Sequence, residues 1–143
     1  MKKIILTVSL LLIGSAAALA DKPVSLEQLP AAAQSFLKSN FPSQAVTFAS
    51  EDRGLISKEY EVLLSDGAKV DFDSDGEWTD VECKLSRVPD AIVPKPITEY
   101  VAKNFPQAKI LKIERDRRGY ELSLSNGLDI DFDKQFKVVD IDD

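Results

Sequence analysis

The sequence predicts an α+β protein with a tandem repeat, in which one helix plus a four-stranded antiparallel sheet occurs twice. Two long segments of the chain resemble each other at an almost constant offset. In each segment a helical period of apolar residues gives way to strict alternation, which is typical of strands with one buried face. The predicted organisation is a signal peptide over residues 1–20, a first repeat over 21–85 and a second repeat over 86–143.

The composition excludes several classes of function. The 143 residues include no His and one Cys, and they carry a formal net charge of −6. Catalytic triads that use imidazole, and zinc sites built from several Cys or His side chains, are therefore excluded. An acidic chain without a basic stripe is also a poor nucleic-acid binder, because such binding requires cations that neutralise phosphates.

The N-terminal residues have the three parts of a secretory signal peptide. A basic start at Lys2 and Lys3 precedes an apolar run, and small residues follow up to Ala20. The apolar run is too short to span a membrane comfortably. We expect cleavage after Ala20, which would shift the net charge to −8 and leave a soluble periplasmic or secreted protein without membrane attachment.

The repeat is visible in two blocks of identity. Asn40-Phe41-Pro42 recurs as Asn104-Phe105-Pro106, at an offset of 64 residues. After a predicted four-residue insertion at 54–57 the offset is 60, and the segment 60–73 matches 120–133. Because the identities cluster in this way, a duplication explains them better than coincidence.

One helix is predicted at the start of each repeat. Leu29, Ala33, Phe36 and Leu37 fall on one helical face in the first repeat. Ile97, Tyr100 and Val101 repeat that face in the second. Asn40 and Asn104 are predicted to end the helices in the left-handed conformation, and Ser25 with Gln28 is predicted to form a capping box.

Four strands are predicted after each helix, and the two resulting sheets are expected either to join edge to edge or to lie side by side. Val46 and Phe48 are placed on the buried face of the first strand because they alternate with smaller or polar residues. Asp66-Gly67 and Asn126-Gly127 predict two-residue hairpin turns. Cys83 is predicted to be a small apolar residue inside a strand, since no second thiol exists to pair with it.

Acidic residues occupy the alternate positions of these strands and are predicted to share one open face of the sheet. The candidates for binding a protein or peptide partner are Glu61, Asp71, Asp73, Glu121, Asp131 and Asp133. The alternative is an acidic face that is solvated and has no partner.

Residues 71–82 also match a calcium-binding loop. The pattern D-x-D-x-D-G-x5-E places Asp71, Asp73, Asp75 and Glu82 as candidate Ca²⁺ ligands. Three features oppose this interpretation: residues 70–72 have strand character, Trp78 is too large for its position, and the second repeat lacks the motif. The alternative is a hairpin turn at 74–76, formed by Asp and Gly for their turn geometry.

Together, the signal peptide, the two N-F-P motifs and Y-E-V-x-L-S-D-G-x-x-V-D-F-D-x-D-G-x-W resemble the PepSY-like, beta-lactamase-inhibitor-like family of secreted bacterial proteins. The resemblance implies a fold similar to the beta-lactamase inhibitory protein. It also implies a protein that is not an enzyme and that binds or inhibits other proteins, with no catalytic residues to assign.

These observations leave three candidate functions. The leading prediction is an exported binding module that engages, and in some cases inhibits, a periplasmic protein or peptide and needs no cofactor. The alternative is a calcium-responsive periplasmic protein that uses the loop at 71–82. A hydrolase with Asp71 and Asp131 as paired carboxylates is disfavoured, because surface carboxylates outside a pocket rarely acquire the shifted pKa that acid–base catalysis needs.

Overall fold

The computed structural model describes residues 21–53 and 57–143. The predicted signal peptide and most of the predicted insertion at 54–57 lie outside these residues. Within them the chain is α+β, as predicted, and its strands form a single antiparallel sheet.

The sheet contains nine strands whose spatial order is the order of the chain. The strands β1 to β9 are Lys22–Pro23, Val46–Arg53, Lys58–Leu64, Lys69–Phe72, Trp78–Glu82, Ile110–Arg115, Gly119–Leu124, Asp129–Asp133 and Val138–Asp142. The sequence left open whether the two predicted four-stranded sheets join edge to edge, and they do, because β5 pairs directly with β6 through Val81 and Ile113. Strand β1, which the sequence did not reveal, adds a short edge beside β2.

Two helices lie on the same face of this sheet. Helix α1 spans Ala31–Asn40 and helix α2 spans Lys95–Asn104. Phe36 of α1 meets Phe72 edge to face at 5.5 Å between ring centroids, and Tyr100 of α2 meets Phe132 at the same distance. These aromatic pairs fix each helix above the sheet and bury the apolar side of the strands.

The core fills the space between the helices and the sheet. Its largest fully buried side chains are Phe72, Ile97, Ile113, Leu122, Ile130, Val62, Val70, Val81 and Val88. Cys83 is also buried, as predicted, although it lies directly after β5 and not inside a strand. Its burial raises the pKa of the thiol to about 11.

Both helices end differently from the prediction. Asn40 and Asn104 stay helical, and neither has a positive φ. Instead, the side-chain amide of Asn40 donates to the Phe36 carbonyl at 2.9 Å, and Asn104 does the same for Tyr100. The Asn side chain therefore bonds back to a carbonyl one turn earlier in its own helix, while the next amide, of Phe41 or Phe105, still bonds to Leu37 or Val101. The predicted capping box of Ser25 and Gln28 is confirmed at a short 3-10 turn over Leu26–Gln28.

The hairpin turns contain three residues, not the predicted two. The Leu64 amide donates to Ala68 and the Gly67 amide donates to Leu64, so the turn covers 65–67. Gly67 adopts φ +91 in this turn, and Gly127 adopts φ +92 in the corresponding turn. A type I turn followed by one left-handed residue produces this pattern, and glycine is favoured at that last position.

Four strand pairs contain a β-bulge that changes which side chains share a face. In β2 the irregularity between Val46 and Phe48 turns Phe48 away from the core, so that Phe48 lies opposite Leu63 and is 44% exposed. The prediction that both residues are buried together is therefore wrong for Phe48. A one-residue insertion in a strand reverses the face of every side chain beyond it, and alternation in the sequence does not reveal where that insertion lies.

Candidate docking surface on the open sheet face

We call the face of the sheet opposite α1 and α2 the open face. Its centre is a line of carboxylates in which each residue lies directly opposite the next one on the neighbouring strand. We call this line the acidic row. It runs from β3 to β9 through Glu61, Asp71, Asp80, Glu114, Glu121, Asp131 and Asp140.

Like charges directly opposite each other destabilise a sheet. Two lysines on the open face compensate part of this charge. Lys69 lies 3.5 Å from the Glu61 carboxylate, and Lys112 lies 2.7 Å from Glu114 and 3.8 Å from Asp80. Two ammonium groups beside seven carboxylates leave the acidic row strongly negative.

Two carboxylates in the middle of the row, those of Asp71 and Asp80, are also partly buried. Burial raises the pKa of Asp71 to about 6, and the nearby Glu61 and Glu59 carboxylates contribute to the increase. Burial raises the pKa of Asp80 to about 7, with further contributions from the Glu114 and Asp71 charges and from a hydrogen bond to Glu114. Within the described residues, Oδ1 of Asp71 and Oδ1 of Asp80 are both buried and lack a hydrogen-bond partner.

The next two members of the row differ from each other. A hydrogen bond from Lys112 is the main reason why the pKa of Glu114 lies below its usual value. Burial raises the pKa of Glu121, and the charges of Glu114 and Asp131 add to that increase. Glu114 is therefore ionised most readily among the central carboxylates. It lies between Asp80 on one side and Glu121 on the other.

The acidic row borders a cleft of about 520 Å³ on the open face. Asp71, Asp80, Glu114, Glu121 and Asp131 contribute to its lining together with apolar Val139. Arg115 and Arg118 line it as well, and Arg115 is fixed over the Trp78 ring at 4.0 Å while its Nε donates to the Trp78 carbonyl at 2.7 Å. The cleft thus combines acidic residues with an immobilised guanidinium.

The structure brings four of the six predicted partner-binding residues into the row: Glu61, Asp71, Glu121 and Asp131. Asp73 lies directly after β4 and Asp133 is the last residue of β8, so each stands at the start of a turn. Oδ1 of Asp73 accepts the amides of Asp75 and Glu77 at 2.9 and 3.0 Å, and Asp133 accepts those of Gln135 and Lys137. Their carboxylates hold the hairpins together, so we assign both to turn formation.

Sequence reasoning missed Asp80, Glu114 and Asp140. Asp80 was concealed because the bulge in β5 separates it from Trp78, although simple alternation would place the two on one face. Continuing the offset of 60 residues would have paired Asp80 with Asp140. No feature of the sequence marked Glu114 as a member of the row, because its place there depends on the pairing of β5 with β6.

The candidate calcium loop has the backbone of a hairpin, not of a loop between two helices. Gly76 adopts φ +86 in the turn, and Glu82 lies opposite Lys69, away from Asp73 and Asp75. Across the described residues, no three acidic side chains converge closely enough to hold a metal ion. The four predicted ligands therefore do not fit a single Ca²⁺ site in this conformation.

Comparison with known proteins identifies the family. A model of the family described as "Putative beta-lactamase-inhibitor-like, PepSY-like" matches residues 58–140. The chain belongs to the PepSY-like family. This finding confirms the resemblance inferred from the sequence motifs.

Three solved structures of similar proteins extend this result. A protein from Bacteroides vulgatus ATCC 8482, described as "a putative periplasmic protein from DUF2874 family", is 50% identical, with 86% of this chain and 97% of that chain covered and a TM-score of 0.84. A "putative calcium-regulated periplasmic protein" from Bacteroides thetaiotaomicron is 45% identical, with the same coverage and TM-score. A second B. vulgatus protein, described as "a putative periplasmic protein of unknown function", is 35% identical, with 87% and 100% covered and a TM-score of 0.83.

Two further findings complete this description of the PepSY-like chain. No curated protein matches it at a significant level. In the part of the chain that the structure describes, neither helix is long and apolar enough to cross a membrane.

Proposed function

We propose that this PepSY-like chain is an exported, non-enzymatic binding module that engages, and in some cases inhibits, a protein or peptide through the open face of its sheet. One observation carries the proposal: seven consecutive strands hold opposed carboxylates although this arrangement lowers stability. Side chains that destabilise the fold are expected mainly at functional sites.

The chemistry of the chain supports a binding function over catalysis. There is no His, and the one Cys is buried with a raised pKa, which makes it a poor nucleophile. Asp71 and Asp131 lie four strands apart, or about 19 Å at the usual strand spacing. Paired carboxylates that hydrolyse glycosides work at separations below about 10 Å, so these two cannot act as such a pair.

Site-specific photo-crosslinking in living cells tests the docking surface. A photoreactive residue replaces Ser123 on the open face, and a matched control replaces exposed Ser35 on α1. We expect position 123 to give a discrete crosslinked product that position 35 does not give. The Glu61/Asp131 double substitution to Lys should abolish the product, and crosslinks from position 35 alone would contradict the proposal.

Calcium regulation is the second candidate, and one observation favours it: a relative that is 45% identical is described as calcium-regulated. In this chain the hairpin at 71–82 would need to open before its carboxylates could share one ion. Calorimetry with millimolar Ca²⁺, with Mg²⁺ as the control, tests it. Absence of both heat and a shift in melting temperature, in wild type and in Asp75→Asn alike, would eliminate this candidate.

We also propose a periplasmic location for the mature chain, which would begin at Asp21. The descriptions of the relatives as periplasmic support it, as does the signal-peptide pattern of residues 1–20. Mass spectrometry of protein from the periplasmic fraction would show an N-terminus at Asp21, and retention of Met1 would contradict cleavage.

Finally, we propose that 21–85 and 86–143 are two copies of one unit, with a beta-lactamase-inhibitory-protein-like arrangement. The Phe36–Phe72 and Tyr100–Phe132 pairs share their geometry, and the side chains of Asn40 and Asn104 make the same bond. If the halves are equivalent units, exchanging the sequences of the β3–β4 and β7–β8 turns, 65–67 and 125–127, should leave stability nearly unchanged; a large loss would contradict equivalence.

A further inference from the structure

The centre of the acidic row indicates the chemistry of its partner. We propose that the open face binds a helix of another protein that presents Lys or Arg side chains along one side and lies across strands β4 to β7. This inference rests on the proposed function and specifies the partner that the docking surface takes.

The first argument is the lack of donors at the centre of the row. Asp71, Asp80, Glu114 and Glu121 lie on four successive strands, and Lys112 is shared between two of them. Oδ1 of Asp71 and Oδ1 of Asp80 find no partner among the described residues. A buried carboxylate oxygen without a donor is costly, and an ammonium or guanidinium group supplies both the donor and the opposite charge.

The second argument is spacing. Neighbouring strands lie about 4.8 Å apart, so the four central carboxylates extend over about 14 Å. A helix presents the same side once per turn, about every 5.4 Å, so three turns cover about 16 Å and place one cation near each strand. In an extended segment, side chains on the same side recur only every 6.6–6.8 Å or so, and after two strands they no longer lie beside the carboxylates.

The third argument is the shape and boundary of the cleft. The centre of the row lines a cleft of about 520 Å³, which also exposes apolar Val139. Arg115 and Arg118 line part of the same cleft. Their charges repel a partner that carries cations all round, and they favour one whose cations are restricted to the side facing the row.

The test uses three helical Ala-based peptides as probes. One carries four Lys residues on one side, the second has the same composition with Lys distributed around the helix, and the third carries Glu in place of Lys. Fluorescence anisotropy measures their binding to the mature chain at low and at physiological salt.

Two variants of equal net charge separate the row from the overall acidity. The row variant is Asp71→Asn/Asp80→Asn/Glu114→Gln. The matched control is Glu27→Gln/Asp90→Asn/Glu99→Gln, which removes three exposed carboxylates outside the row. Circular dichroism confirms that both variants are folded.

We expect the one-sided Lys peptide to bind wild type, to bind the row variant at least about tenfold more weakly, and to bind the control within about twofold of wild type. Binding should weaken with salt. The inference is overturned if the distributed-Lys peptide binds equally well, if the control loses as much affinity as the row variant, or if none of the peptides binds.

The two levels of the proposal fail in different ways. If the Glu peptide is the one that binds, and it crosslinks to position 123, then the open face is a docking surface but its partner is not cationic. If crosslinks form only from position 35, the open face itself is wrong and the proposed partner is excluded with it.

Discussion

Replacing Asp80 with Asn measures the cost of the acidic row. The Asp80 side chain is 17% exposed and lies between Asp71 on β4 and Glu114 on β6, with Lys112 3.8 Å from its Oδ2. Asn has nearly the same shape as a protonated Asp, and its amide can donate to Glu114 without adding charge. The substitution therefore mimics the neutral acid at every pH.

The direction of the pH dependence of stability follows from the raised pKa of Asp80. The pKa of Asp80 is about 7 in the folded chain and near 3.8 when unfolded, and that of Asp71 is about 6. Between these limits the folded state binds more protons than the unfolded state, so the free energy of unfolding falls as pH rises from about 4 to about 7. In contrast, the amide introduced by Asp80→Asn has no proton to lose in this range, and the variant should lack most of this decrease.

The magnitude can be bounded. The difference between a pKa of about 7 in the folded chain and 3.8 in the unfolded chain corresponds to about 4 kcal/mol if none of the charge is screened. Water reaches the open face and screens the group, so we expect about 1–2 kcal/mol of stabilisation by Asp80→Asn at pH 8 and almost none at pH 4. The acidic row should therefore lower the free energy of unfolding most at neutral and higher pH.

Urea unfolding at pH 4, 6 and 8 is the assay, and Asp140→Asn is the matched control. Asp140 has the same register position on β9 but is exposed at the sheet edge. We expect its substitution to change stability by less than about 0.5 kcal/mol. If Asp80→Asn is less stable than wild type at pH 8, or keeps the wild-type pH dependence, the argument for a destabilising row is wrong.

Three further predictions concern the fold. Gly76→Ala should cost about 2–4 kcal/mol in thermal unfolding, because its Cβ would lie 2.8 Å from Pro30 Cβ and the backbone has φ +86, whereas Gly127→Ala, with open space around it, should cost only about 1 kcal/mol. Equal losses would exclude the contact with α1 as the cause. Phe72→Ala should cost about 3–5 kcal/mol by urea denaturation, since its ring is fully buried against Phe36; a loss below about 1 kcal/mol would show that the core collapses around the gap. Asp73→Ala should cost about 1–2 kcal/mol through two lost hydrogen bonds, and the variant should crosslink its partner from position 123 as wild type does; loss of that product in a folded variant would return Asp73 to the docking surface.

The local elements could be predicted from the sequence because their causes are local. The N-F-P motifs mark the ends of α1 and α2, and the Gly residues mark the hairpins. The error at Asn40 and Asn104 concerned the conformation of the last residue. Each Asn stays helical and its side-chain amide bonds back to the carbonyl four residues earlier, although the helix ends at the predicted place.

The candidate site was only half predictable because it depends on register and on long-range pairing. Alternation correctly placed Glu61, Asp71, Glu121 and Asp131 on one face. The bulges in β2 and β5 moved Phe48 to the open face and separated Asp80 from Trp78, and no feature of the sequence marks a bulge that contains Thr. The pairing of β5 with β6, which brings Glu114 beside Asp80, joins residues more than thirty positions apart.

Two Asp residues, one in β4 and one just after it, show why the carboxylates of the row need a functional explanation whereas those of the turns do not. Asp73 is used fully by the fold, because its carboxylate accepts two backbone amides of the turn. Asp71, two residues earlier, contributes no such bond from its buried Oδ1 and lies opposite Glu61 and Asp80. Folding alone would favour an uncharged residue at position 71 and an Asp at position 73. A charge that folding disfavours is consistent with selection by a partner, and a partner that presents cations would remove the cost on binding.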